Sequence, residues 1–291
     1  MVVSVFRALI EKLSPVALLN GLAGAAPVES FRYGPLERHT LDVYRPQGPG
    51  PHPVAVFFYG GGWEEGERGP YRFVGAALAA AGILTVIPDY RLYPEVRFDG
   101  FLEDGAAAVR WAHDHAADFS GDPERLVLIG HSAGGHIAGM LALDARWLKQ
   151  VGLDRDAIRG WVGLAGPYDF EPDTPNRLAI LGPDRNRSQP IGFVRADAPP
   201  AFLGAPRRDR VVDPSNATRL AKRIAEVGGK VQVKFYPRTD HASILGAFSP
   251  ALRFLGPVFG DTCDFIEAVT ADERRLQSQE FDALGDGRVA G

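Results

Sequence analysis

Two periods of apolar and polar positions alternate along this chain. Continuous apolar runs at 54–59, 83–87, 126–129 and 160–165, with another at 200–204, have the pattern of strands covered on both faces. Between them apolar residues fall three and four apart, as in one-sided helices. The spacing predicts helices over 71–81, closed by Gly82; over 101–117, with Leu102, Ala106, Val109 and Ala112 inward; from 133 to about 147; from about 213 to 227, stopped by Gly228 and Gly229; and from about 250 to 269. Segments 39–44 and 231–236 alternate apolar and polar residues, which predicts an early antiparallel strand and a last strand. Strand and helix taking turns in this way argue an α/β fold, a mostly parallel central sheet with helices on both faces. In such sheets ligands gather outside the carboxyl ends of the strands.

Three stretches break the rhythm. Residues 166–200 are rich in proline, arginine and aspartate with little period, too long for an ordinary connection, and are expected to form a lid or small cap inserted into the main domain. Residues 1–30 read as an N-terminal helix followed by a Gly/Ala-rich linker at 19–27, and 271–291 as a polar C-terminal tail. The main domain would then span 31–270. The first helix has apolar residues at helical spacing but is interrupted by Arg7, Glu11 and Lys12. It lacks the continuous apolar core of a signal peptide or membrane span, which leads to the expectation of a cytoplasmic protein. Such a helix packs on the protein's own surface or, as the alternative, touches membrane or lipid.

Composition narrows the classes. With 291 residues and 45% hydrophobic ones the chain can bury one large core, and a formal net charge of −4 offers no basic stripe for nucleic acid. A single cysteine, Cys263, excludes an internal disulfide and a cysteine-based zinc cluster. His113 and His115 are two apart and so lie on different faces of their helix, as packing or solvated histidines rather than a metal pair.

The candidate chemistry lies at 126–136, where an apolar run meets Gly130-His-Ser-Ala-Gly134 and then a helix-forming segment. That order reads as strand, tight turn, helix. A serine at the apex of such a turn needs neighbours without side chains, and its place before a helix points free N–H groups at any anion formed there. The alternative is an ordinary N-cap serine. A serine hydroxyl needs a base, and the base needs a third group to orient it. Of the seven histidines, His39 and His52 precede the sheet core, His113 and His115 sit on a helix, and His131 and His136 flank Ser132 too closely to fold back. His241 alone follows a strand near the C-terminus. Asp209, in the loop after the 200–204 strand, is the preferred acid; Asp213, which a helix start explains, and Asp240 are the alternatives. Gly60-Gly-Gly62 after the 54–59 strand suits a loop whose N–H groups face developing negative charge.

The order Ser, Asp, His, each after its own strand, resembles the α/β-hydrolase fold, in its esterase/lipase branch related to hormone-sensitive lipase. The resemblance covers about 36–268 and rests on Tyr59-Gly-Gly-Gly-Trp63, Pro88-Asp-Tyr-Arg-Leu92, Gly130-His-Ser-Ala-Gly-Gly135, Asp209-Arg-Val-Val212 and His241. It departs in two places: family members usually carry His where this chain has Tyr59, and many carry Asp where it has His131. The resemblance implies Ser132, Asp209 and His241 as catalytic residues, with the N–H groups of Gly61, Gly62 and Ala133 as the oxyanion hole. It implies carboxylesterase activity on a small-molecule ester, with no metal or organic cofactor; an arylformamidase-type amidase or a hydrolase-fold binding protein without turnover are the alternatives. Trp63, His131, Phe170, Leu178, Leu181 and Phe193 are expected to contact substrate, together with Pro172, Ile180 and Ile191 of the lid. Pieces this small suit short to medium acyl chains.

Overall fold

The computed structural model describes residues 28–271; the expected N-terminal helix and linker and the tail beyond 271 lie outside them. The apolar runs form β3 (His52–Phe58), β4 (Leu84–Pro88), β5 (Gly121–His131), β6 (Gly160–Leu164) and β7 (Ala201–Pro206). The alternating segments form β2 (Thr40–Tyr44) and β8 (Val231–Tyr236), and a further strand, β1 (Val28–Arg32), stands where the sequence offers only a linker's end. All eight lie in one sheet of order β1-β2-β4-β3-β5-β6-β7-β8. β1, β2 and β4 pair antiparallel, and every pair from β4 to β8 is parallel. The central strands are buried from end to end in β4 and β6, because helices cover both faces.

Those helices are α1 (Arg72–Ala80), α2 (Phe98–His115), α3 (Ala133–Leu143), α4 (Arg146–Gln150), α7 (Ser215–Glu226) and α9 (Val258–Thr270); α8 (Ser243–Gly246) is a single turn after β8. Two predicted helices are split. The one from 133 breaks at Asp144, whose backbone is extended and whose carboxylate takes the N–H of Arg146 at 3.2 Å, so a local side-chain-to-backbone bond wins over continuing the first helix. The one from 250 gives a 3-10 turn at Pro250–Leu255 and restarts after Pro257, since proline has no N–H to give and crowds the preceding turn. Within 166–200 two short helices stand in place of the expected irregular chain, α5 (Pro175–Leu181), with the Thr174 hydroxyl accepting from Arg177 N–H, and α6 (Arg185–Ser188), with Asp184 accepting from Asn186 N–H. Among the described residues no helix is long and apolar enough to cross a membrane.

Every loop singled out in the sequence leaves the carboxyl end of a parallel strand. The glycine loop follows β3, Ser132 follows β5, segment 166–200 follows β6, Asp209 follows β7 and His241 follows β8.

Candidate active site

Ser132 sits between β5 and α3 with φ 53° and ψ −123°, a left-handed conformation that costs a non-glycine residue on the order of 1–3 kcal/mol. Neighbouring glycines let the chain turn so sharply. A Cβ on Gly130 would come within 2.6 Å of the Gly135 nitrogen, and one on Gly134 within 2.5 Å of the Tyr59 carbonyl oxygen, with other backbone atoms nearer still. The Ser132 N–H is fastened to Leu164 O at 2.9 Å, tying the turn to β6. Its side chain makes no capping bond, so the N-cap alternative does not describe it.

The hydroxyl instead faces His241, with Nε2 2.9 Å from Ser132 Oγ and Nδ1 2.8 Å from Asp209 Oδ2. A carboxylate only accepts, so Nδ1 carries the hydrogen and Nε2 keeps the lone pair that takes the serine proton. The Asp209 side chain is 1% exposed and that of His241 16%. Burial by itself would raise the Asp209 carboxyl, but the hydrogen bonds from His241 and from the N–H groups of Val212 and Val211 overcome it and hold the acid below its ordinary range. The other two candidate acids are used locally. Asp213 accepts from Ser215 N–H at the start of α7, and Asp240 from Ser243 N–H in the turn leading into α8.

Beside the serine runs the glycine loop. A Cβ on Gly60 would stand 2.9 Å from the Ser132 Cβ, so the two backbones touch. Gly61, Gly62 and Trp63 all have positive φ (129°, 62° and 64°), and the N–H groups of Glu64 and Glu65 both close on Gly61 O. Backbone turns are a place where N–H groups can gather into an anion-binding concavity. Among the described residues none accepts from the N–H of Gly61, Gly62 or Ala133.

The loop rests on an ionic cluster that sequence reasoning missed. Tyr59 O–H donates to Asp89 at 2.9 Å, Arg38 bridges the Tyr59 oxygen (2.9 Å) and Gly66 O (2.8 Å), and Tyr90 O–H holds Tyr59 O at 2.9 Å. Arg68 closes the set by pairing with Asp89 and with Asp42. Tyr59, where the family usually has His, thus belongs to the loop's support, and burial pushes its phenol far above the ordinary value. Only the Asp89-Tyr90 motif hinted at this. Asp89→Ala will leave the Tyr59 hydroxyl and the Arg68 backbone N–H without their acceptor and the Arg68 guanidinium with Asp42 as its remaining carboxylate; we expect a loss of about 3 kcal/mol in urea unfolding, with a fall in kcat as the loop loosens.

The expected pocket residues part company. Trp63 is buried and stacks on Phe170 and Phe101, each with ring centroids 6.3 Å away. Leu181 and Ile180 line a cavity of about 150 Å³ with Phe98, while Leu178 is 41% exposed. Phe193 lies under the Arg146 guanidinium at 5.5 Å, and His131 turns toward the His241 backbone. Segment 166–200 is bound down by groups the sequence did not advertise. His136, one turn after Ser132, has Nε2 2.7 Å from Ser188 O, Gln189 Oε1 accepts from Phe170 N–H, and Asn216 Oδ1 accepts from the N–H groups of Tyr168 and Asp169. Burial holds His136 down at about 4, so it stays neutral. Asn176 joins α5 to Glu64 of the glycine loop at 2.7 Å. His113 and His115 are each taken by a neighbouring aspartate, Asp114 and Asp118.

A doubly wound sheet with its serine on a strained strand-to-helix turn, followed in chain order by acid and histidine on later strands, defines an α/β-hydrolase. Comparison with known proteins agrees. The BD-FAE family model matches residues 41–172. Esterase LipC of Mycobacterium tuberculosis is 30% identical over 218 residues, which is 67% of this chain and 54% of that one. A probable isoprenylcysteine alpha-carbonyl methylesterase, ICMEL1 of Arabidopsis thaliana, is 31% identical over 148 residues, 48% of this chain and 31% of that one. The chain thus spans between about a third and about half of the length of such curated relatives. Among solved structures, apo esterase 2 of Thermogutta terrifontis superposes with a TM-score of 0.73 at 20% identity, over 84% of this chain and 96% of that one. The chain has the α/β-hydrolase fold, and its sequence is similar to the esterase branch of that superfamily.

Proposed function

We propose that this chain is a serine carboxylesterase acting on small-molecule esters of short to medium acyl chain through an acyl-enzyme. The observation that carries the reading is His241 bridging Ser132 Oγ and Asp209 at 2.9 and 2.8 Å. In that geometry Ser132 Oγ attacks the ester carbonyl carbon as its proton passes to His241 Nε2, and Asp209 steadies the imidazolium. The oxyanion is received by the N–H groups of Gly61, Gly62 and Ala133. Collapse breaks the bond to the alcohol, which leaves with the proton from His241; water then attacks the acyl-enzyme by the same route and releases the acid. The names of the relatives support ester chemistry, and the crowding of Trp63 and Phe170 beside the glycine loop supports a short acyl group.

The test is hydrolysis of p-nitrophenyl acetate, butyrate and palmitate, with N-formylanilide alongside, together with mass-spectrometric mapping of a fluorophosphonate adduct. Turnover of acetate and butyrate above palmitate, with the adduct on Ser132, is the expected result. No turnover of any ester and no adduct would sink the reading, and faster release from N-formylanilide would replace it with an amidase.

A further inference from the structure

The ring of His131, the residue before Ser132, is 7% exposed and lies inside the wall of the site. Its Nε2 is 2.7 Å from the backbone carbonyl oxygen of His241, and the two imidazole centroids are 5.1 Å apart. The turn into α8 draws on the carbonyls of Asp240 and Ala242, not on that of His241. On its other edge, Nδ1 is buried with no hydrogen-bond partner among the described residues. That nitrogen faces the start of the glycine loop, since a Cβ on Gly60 would come within 3.1 Å of it. One rigid ring therefore fills the space between the loop that leaves β3 and the backbone that carries the base.

The chemistry of the contact fixes its direction. A carbonyl oxygen accepts and cannot donate, so Nε2 of His131 carries the hydrogen and Nδ1 is bare. A second proton on His131 would place a charge in a dry wall next to the ring that becomes imidazolium in each half-reaction. Burial, then the proximity of His241, holds His131 down at about 4. An ionised aspartate, common at this position in the family it resembles, could only accept and could not make this bond.

We propose that His131 is a positioning residue for the base: its Nε2–H holds the His241 carbonyl, setting the backbone so that the two nitrogens of His241 reach Ser132 and Asp209 together. His131 touches no reacting atom, and the proposal rests on the esterase reading.

Two experiments test it. In the wild type with ¹⁵N-labelled histidine, His131 is expected as the neutral Nε2–H tautomer at pH 7, and it should keep that form when Ser132 carries a phosphonyl group. An Nδ1–H tautomer or a charged ring at pH 7 would overturn the proposal without any variant having to fold. The second experiment compares His131→Phe, which keeps a ring and loses the donor, with His131→Gln, whose amide N–H reaches about where Nε2 stands. Rates are taken per site titratable with fluorophosphonate. His131→Phe is expected to lower kcat for p-nitrophenyl butyrate by about 10- to 100-fold with KM within about twofold, the order of loss that a small misplacement of a reacting group brings, and His131→Gln to recover most of it. Equal losses in the two variants, or a loss lying in KM, would overturn it. A wild type with no turnover but the expected tautomer would strike at the esterase reading instead.

Discussion

On the proposed esterase reading, Ser132→Ala is expected to lower kcat for p-nitrophenyl butyrate by about a millionfold, the loss seen when the nucleophile of a serine triad is removed. The hole and the binding surface survive the change, so a residual rate of roughly a thousandfold over water remains. Stability should move little. The Ser132 side chain caps nothing, its N–H bond to Leu164 O is made by the backbone, and alanine meets the same left-handed φ of 53°. The measurement is kcat beside a thermal melt: loss of turnover with the melting temperature within about 2 °C of wild type is the expected pair. More than about one part in a thousand of wild-type kcat would mean that another nucleophile or a directly activated water does the chemistry.

Gly134→Ala should be among the most damaging single methyl additions in the described residues. The new Cβ would lie 2.5 Å from Tyr59 O, and nearer still to the carbonyl of Phe58. Both obstacles are backbone at the end of β3, so no side-chain rotation relieves them, and either α3 or the end of β3 has to move. Because the glycine loop starts at Gly60, that movement carries the oxyanion donors away from Ser132. We expect more than about 4 kcal/mol of destabilisation, at the overpacked end of the range for core substitutions. In whatever protein folds, kcat should fall by about 100- to 1,000-fold, as for a lost oxyanion donor. Gly182→Ala is the control: its Cβ meets nothing within 4 Å, and its backbone at φ 79° and ψ 169° favours glycine, so it carries strain of about 1–3 kcal/mol with kcat unchanged. Urea unfolding and initial rates on the two variants separate the cases, and a folded, fully active Gly134→Ala would show that the turn does not need the close approach.

Much of this architecture was legible because it is written locally. β3, β4 and β6 are covered on both faces and so read as unbroken apolar runs, and Ser132 announces itself through its flanking glycines. Asp209 and His241 needed elimination over the whole chain, but each sits directly after a strand that could be read. The supports could not be read in the same way, since their partners are far apart in sequence. His136 and Ser188 are 52 residues apart, Tyr168 and Asn216 48, and Tyr59 and Asp89 30. A buried histidine and a helix-start asparagine look the same before their partners are known. Where local signals compete, punctuation wins over period: Asp144 ends, and Pro257 restarts, a helix that the apolar spacing alone carries straight on. β1 is a strand only because β2 is there to pair with it.

The two ends of the proton route stand on unequal ground. Ser132 leaves β5, which is paired on both sides near the middle of the sheet, whereas His241 leaves β8, which among the described residues is the edge strand, bonded to β7 alone. A strand held on one side frays before one held on two, since fewer hydrogen bonds and contacts oppose its opening. Heat will therefore part the base from the nucleophile while the centre of the sheet is still intact. Inactivation by warming should begin a few degrees below the melt and reverse on cooling, with the outer strand acting as the fuse of the enzyme.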